Sequence, residues 1–124
     1  MNFYNVTVEG SCVLFPDGSK IILPDNVLKN LNGKTGPMIL GIRGEDIKLD
    51  GLNLDLLKDS VQSSVVDNVE IMGNENNLYF NFGGSTTIAR VSKYEVSQLG
   101  DSISFVFMPT KLHFFDKDTE EALF

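Results

Sequence analysis

Apolar and polar residues alternate in short runs along this chain, and clusters of glycine, aspartate and asparagine interrupt the runs about every ten residues. That spacing predicts a mainly β domain, a small barrel or sandwich with one or two short helices. Val6 to Glu9 and Ser11 to Phe15 lead into Pro16-Asp17-Gly18-Ser19, a turn sequence from which Lys20 to Leu23 returns as a hairpin. Asp25 or Asn26 then offers a side-chain cap to a short helix through about Leu31, closed by Gly33. Pro37 to Arg43 is a continuous apolar run ending in a charge, the pattern of a strand buried on both faces, and Arg43-Gly44-Glu45-Asp46 turns the chain. Residues 50–60 stay open: Leu54, Leu56 and Leu57 suit a helical turn as well as a strand.

The second half repeats the strand signal. A long strand is expected from Gln62 to Met72, with Val65, Val69 and Ile71 on one face and Asp67 and Glu70 outside or at a bend. Leu78, Phe80 and Phe82 alternate with Tyr79 and Asn81 and should face the core. Gly83-Gly84 turns the chain into Thr86 to Val91, Tyr94 to Leu99 forms a connection, and Ile103, Phe105 and Phe107 mark a further strand that Pro109 stops. Lys111 to Phe115 is the last strand.

Length and composition narrow the functional classes. At 124 residues and 42% hydrophobic, the chain fits one domain over residues 1–124 with a modest core. A formal charge of -7 would repel phosphate backbones, which argues against a nucleic-acid partner. The longest apolar runs fall far below the roughly 20 residues needed to cross a bilayer, so no direct membrane insertion is expected. A single cysteine, Cys12, forms no internal disulfide and fits a reducing cytoplasm; no basic segment precedes an apolar one at the start. The phosphate-cradling loop Gly-x-x-x-x-Gly-Lys-Ser/Thr is absent, as is a Leu-Ser-Gly-Gly-Gln run, so the chain is not expected to bind or hydrolyse ATP by itself.

Four short segments occur in one order: Met1-Asn2-Phe3; Gly41, Ile42, Arg43 and Glu45; Val66, Val69, Glu70 and Gly73; and Leu112 to Asp116 with Thr119. Together they resemble the C-terminal regulatory domain (TOBE/MOP-like, with an OB-fold) of sugar-importer ABC transporter ATP-binding proteins of the maltose-transporter kind. Gly44 stands where that family usually has proline, and glycine, lacking proline's fixed φ, should loosen the turn. The resemblance implies an OB-like β-barrel that does no chemistry, with ATP and Mg held by a nucleotide-binding domain outside this chain. It also implies partners: a second copy of the ATPase, the transporter's membrane subunits through that other domain, and a regulatory protein. The implied location is cytoplasmic, against the inner face of the cell membrane.

Candidate site residues follow. Arg43, Glu45 and Asp46, set after a buried strand, make a firmly mounted polar patch for a partner or sister subunit, with Gly41 and His113 beside it. Gly83, Gly84, Ser85 and Thr86 form a weaker candidate, an anion-binding nest of backbone N–H groups. It matters because related domains of molybdate-importer ATPases bind oxyanions. One histidine and one cysteine give no ordinary zinc set, and Asp116, Asp118 and Glu120 lack the glycine a calcium loop needs where Glu121 stands, so neither a metal nor a catalytic group is expected. Two other functions remain open: a sensor of an oxyanion or sugar, and an OB-fold nucleic-acid module whose stacking platform would come from Phe80, Phe82, Phe105 and Phe107.

Overall fold

The computed structural model describes residues 1–95 and 97–123. Among these residues ten strands form two antiparallel five-stranded sheets around one core, a nearly closed barrel. The first sheet contains β1 (Asn2–Glu9), β2 (Cys12–Leu14), β3 (Lys20–Ile22), β4 (Gly36–Ile42) and β10 (His113–Asp116), in the order β10-β4-β1-β2-β3. The second contains β5 (Ile47–Lys48), β6 (Gln62–Ile71), β7 (Glu75–Phe82), β8 (Ser85–Ser92) and β9 (Ser102–Phe107), in the order β5-β9-β6-β7-β8. Two short α-helices, α1 (Asp25–Leu28) and α2 (Gly51–Leu56), lie in the connections.

The period-two pattern builds this core directly. Tyr4, Val6 and Val8 point inward from β1, Leu78, Phe80 and Phe82 from β7, and Ile103, Phe105 and Phe107 from β9. Tyr4 lies at the centre, with ring centroids 5.5 Å from Phe15, 6.0 Å from Phe82 and 5.7 Å from Phe107. Its hydroxyl and that of Thr87 in β8 are 2.5 Å apart and satisfy each other in the buried interior. Burial pushes the Tyr4 hydroxyl up to about 12, against the opposing effect of the Thr87 hydrogen bond, so the phenol stays neutral.

Side-chain amides close both seams between the sheets. At one, Asn2 replaces a missing strand neighbour: its Nδ2 donates to the carbonyls of Ile88 (3.0 Å) and Ile42 (3.3 Å), and its Oδ1 accepts from Ile88 N–H (2.8 Å). At the other, Ile22 N–H donates to Ser60 Oγ (3.3 Å) while Gln62 Nε2 donates to Lys20 O (2.8 Å). Each amide satisfies backbone groups at the rim of a sheet, groups that would otherwise be free to pair with another chain.

Several expectations change. In β6 it is Val66 that is buried, whereas Val65 and Ile71 are exposed and Val69 is half-buried. A bulge at Asp67, between the pairs Val66–Phe80 and Asn68–Tyr79, breaks the alternation that would have put Val65, Val69 and Ile71 on one face. Helix α1 has no side-chain cap: Pro24 is its N-cap and supplies a carbonyl to Val27 and Leu28, so Asp25 sits inside the first turn. Asn32, left-handed at φ 52°, closes the following turn one residue before Gly33. Within residues 50–60, Gly51–Leu56 is a helix because Asp50 accepts from Asn53 N–H at 3.1 Å, an N-cap that favours the helix over a strand, and Lys58–Ser60 adds a 3-10 turn. Pro109–Lys111 is a single 3-10 turn, so the last strand begins at His113. In β9, Val106 is buried along with its neighbours Phe105 and Phe107, against the strict alternation expected of that strand. Of the expected Tyr94–Leu99 connection, position 96 lies outside the described residues; the remainder carries no strand or helix.

The two seams should respond differently to loss of their amides. Asn2→Ala leaves Ile88 N–H and C=O without their partner in a partly buried place and should cost about 1–3 kcal/mol. Gln62→Ala acts at an exposed seam where water replaces the amide, and should cost under about 1 kcal/mol. Urea unfolding of the two variants checks this order.

Candidate functional site

β4 delivers the polar turn. Ile42, its last residue, is fully buried, which anchors the point from which the chain leaves the sheet. Arg43 follows in extended conformation, and Gly44–Asp46 make one 3-10 turn in which Asp46 N–H donates to Arg43 O at 3.0 Å. Asp46 O in turn accepts from Met108 N–H at 3.0 Å, tying the turn to the end of β9. Arg43 and Glu45 are exposed and Asp46 is half-buried. Among the described residues no ion pair joins Arg43 to either acid, so these charges face solvent rather than one another.

Gly44 lies against β8. A Cβ added there would sit 2.7 Å from Ile88 O and 3.2 Å from Arg90 N. The expectation of a loosened turn is therefore replaced by a different physical reason for glycine: the turn approaches a neighbouring backbone too closely for any side chain. It covers the same β8 edge that Asn2 holds.

Gly41 and His113 meet through register: Phe3, Gly41 and His113 are strand partners across β1, β4 and β10. All three point to the outer face of the first sheet. Gly41 is nevertheless buried, because the Met1 side chain and the Phe3 and Phe115 rings lean over it; an added Cβ would meet Met1 Sδ at 2.7 Å and the rings at 3.1–3.3 Å. His113 is half-buried beside it. The Gly41–His113 pair thus belongs to the sheet's outer face, while Glu45 and Asp46 belong to the turn beside β8.

Gly83 and Gly84, at φ 63° and 81°, form the two-residue turn of the β7–β8 hairpin, where both positions need the left-handed region. The N–H of Gly83 donates to Asp17 Oδ2 at 2.9 Å, so a carboxylate of the chain itself already takes this donor. Asp17 also accepts from Ser19 N–H at 2.9 Å. Although desolvation raises its carboxyl, the hydrogen bonds from Ser19 and Gly83 outweigh it and hold Asp17 below the usual carboxylate range. Asp116 behaves alike: the N–H groups of Thr119 and Asp118 hold its carboxyl low, at 3.0 and 2.9 Å. The Asp116 carboxylate therefore shapes a turn. Among the described residues no three His, Cys, Asp or Glu side chains converge as metal ligands.

Sequence reasoning missed two positions, Asn2 and Thr87. Both carried a usable signal: each is a polar residue in the inward phase of an otherwise apolar strand, Asn2 ahead of Tyr4, Val6 and Val8, and Thr87 ahead of Ala89 and Val91. A polar residue in that phase must have a buried partner.

An antiparallel barrel closed by such seams, with its polar turn at one edge, has an OB-like fold. Its architecture matches that of the cytoplasmic molybdate-binding protein ModG, solved with molybdate bound, at a TM-score of 0.71 and 17% identity over 91% of this chain and 94% of that one. In sequence, the chain is 33% identical over 126 aligned residues to the multiple sugar-binding transport ATP-binding protein MsmK of Streptococcus mutans, covering 99% of this chain and 33% of that protein. It is 32% identical over 128 aligned residues to the osmoprotective compounds uptake ATP-binding protein GgtA of Synechocystis, covering all of this chain and 34% of that protein. With the oligosaccharides import ATP-binding protein MsmX of Bacillus subtilis the identity is 28%, over 97% of this chain and 33% of that protein. No family model matches the chain. The resemblance carried by the four segments thus extends over the whole chain: it is similar to ABC transporter ATP-binding proteins, with the fold of a TOBE/MOP-like domain. It spans about a third of the length of these relatives.

Two outcomes follow from this geometry. Gly44→Ala forces the turn off β8 and should lower stability by about 1–3 kcal/mol, read from urea unfolding. Asp17→Ala should destabilise the chain by about 1 kcal/mol at pH 7 by freeing Gly83 and Ser19 N–H. Because the folded-state pKa of Asp17 is depressed, its contribution is present above the ordinary carboxylate pKa and is lost as pH falls through the folded value. The difference between the two proteins should therefore shrink below about pH 4, and thermal melts from pH 7 down to pH 2 measure it.

Proposed function

We propose that this chain is the regulatory, dimer-supporting β-domain of an ABC-type carbohydrate-import ATPase, acting by protein contact and doing no chemistry itself. The similarity to sugar-import ATP-binding proteins over essentially the whole chain carries this reading. On this reading ATP and Mg belong to a nucleotide-binding domain elsewhere in the polypeptide. That domain engages the membrane subunits and places the assembly at the cytoplasmic face of the membrane. No helix among the described residues is long and apolar enough to cross a membrane.

The polar turn supplies the means. Arg43 and Glu45 project from a segment fixed by Ile42, the Asp46–Met108 hydrogen bond and the packing of Gly44 on β8, so little conformational freedom is lost when a sister subunit or a regulatory protein meets them. A partner that prefers one arrangement of a paired domain then shifts the opening and closing of the paired ATPases.

A second reading, a small-oxyanion sensor, draws support from the fold shared with a molybdate-binding protein. A thermal shift with molybdate, tungstate or phosphate, absent with simple sugars, would favour it. Against it stands the occupation of Gly83 N–H by Asp17. The acidic balance likewise speaks against nucleic acid.

Sedimentation of the chain over a range of concentrations tests the dimer role. Self-association should weaken about tenfold in the Arg43→Ala, Glu45→Ala double variant, equivalent to about 1.4 kcal/mol. A chain that stays monomeric throughout, or dimerises equally well in the variant, would count against this turn as the dimer contact.

A further inference from the structure

The outer face of the first sheet carries a depression of about 480 Å³ where the first and last of the four recognised segments meet. Phe3 comes from the first and Phe115 from the last, on the strands that flank β4. Phe3 is 54% exposed although it lies in a folded strand, and its ring meets Phe115 edge-on at 6.1 Å. Ile39 and Asn5, register partners of Phe115 across the sheet, complete the floor. Gly41 permits this arrangement, since any side chain there would displace the rings.

Glu120 stands at the rim. It holds a left-handed φ of 60°, unusual for a residue with a side chain, in a turn closed by hydrogen bonds from Glu120 N–H to Asp116 O and from Asp116 N–H to Glu121 O, each 2.8 Å. The segment Asp116 to Glu121 holds four carboxylates against one lysine, with Lys34 acting on Asp116 from outside. A largely apolar floor, with the exposed Phe3 ring and the half-buried Phe115 ring beside an anionic rim, disfavours phosphate and other anions. It offers too few directed hydrogen bonds, from Asn5 and Glu120 alone, to hold a sugar well. A guanidinium or ammonium suits both parts: its stem lies on the rings, and its charge meets the ring faces and Glu120.

We propose that this depression is a docking site for a basic peptide segment of a partner protein, one that sets an arginine or lysine across Phe3 and Phe115 toward Glu120 and an adjacent apolar residue on Ile39. The proposal deepens the partner-receiving part of the function above, and it rests on that reading only for the identity of the partner as a regulator. It places the contact on a different surface from the Arg43 turn.

The test is fluorescence anisotropy of the full chain with labelled octapeptides carrying one phenylalanine flanked by two arginines. Control peptides replace the arginines by glutamates or the phenylalanine by serine. The arginine peptide should bind at least about tenfold more tightly than either control, more weakly as salt rises. Glu120→Lys and Phe3→Ser, both exposed changes whose folding is checked by thermal melts, should each weaken it about tenfold or more. Equal binding of all peptides, no binding, or binding that survives both variants overturns the proposal. Displacement of the peptide by a neutral disaccharide would assign the depression to a carbohydrate, and loss of self-association in Phe3→Ser would assign it to a second copy; either also overturns it. The dimer measurement at Arg43 and Glu45 can fail while this titration succeeds, and the reverse, so the two readings are separable.

Discussion

The free edge of β8 is the constraint on which this barrel depends. A two-sheet barrel that does not fully close leaves a row of peptide groups facing outward, and buried ones among them must find partners. Here Asn2 supplies a side-chain amide that donates and accepts as a peptide group would, at Ile88. Gly44 brings its turn into contact with the same stretch. Through these two residues the start of β1 and the end of β4 hold the second sheet in place. Tyr4, two positions on from Asn2, then joins the sheets in the interior through Thr87 and the phenylalanine cluster.

The same constraint explains the stiffness of the polar turn. The segment that covers the β8 edge is also the segment that presents Arg43 and Glu45, so tightening the barrel and holding those side chains in place are one structural act. The hydrogen bond from Met108 N–H to Asp46 O adds a tie to β9, the strand that carries Phe105 and Phe107 into the core. Stability and surface chemistry are therefore coupled at this point, and a change in either strand would be felt at the turn.

Strands with a clean alternation were legible in the chain. Leu78, Phe80 and Phe82 face the core as the period-two pattern requires, because only one registration of β7 buries three large side chains. β6 was misread because the extra residue at Asp67 shifts the phase midway, and a bulge has no dependable local signature. The helix at Gly51–Leu56 was undecidable from its leucines, two of which, Leu52 and Leu56, lie exposed; Asp50 as a cap decides it. For the site, the motifs named Gly41, Arg43 and His113, but the meeting of Gly41 with Phe3 and His113 depends on register between strands far apart in the chain. No local pattern encodes that. The use of Gly83 N–H by Asp17 was hidden for the same reason: two turns distant in sequence lie side by side.

The contact at Gly44 also bears on how such a domain can change over generations. Proline, usual at this place in the family the chain resembles, carries a Cβ just as alanine does, and that atom would fall 2.7 Å from Ile88 O in the present arrangement. Proline here would require the β8 edge to stand farther off, and with it the peptide groups that Asn2 must reach. In this structure the turn residue and the spacing of the two sheets are thus physically coupled. A side chain introduced at the turn therefore acts on the seam as well, because the strand it would displace is the one that Asn2 holds.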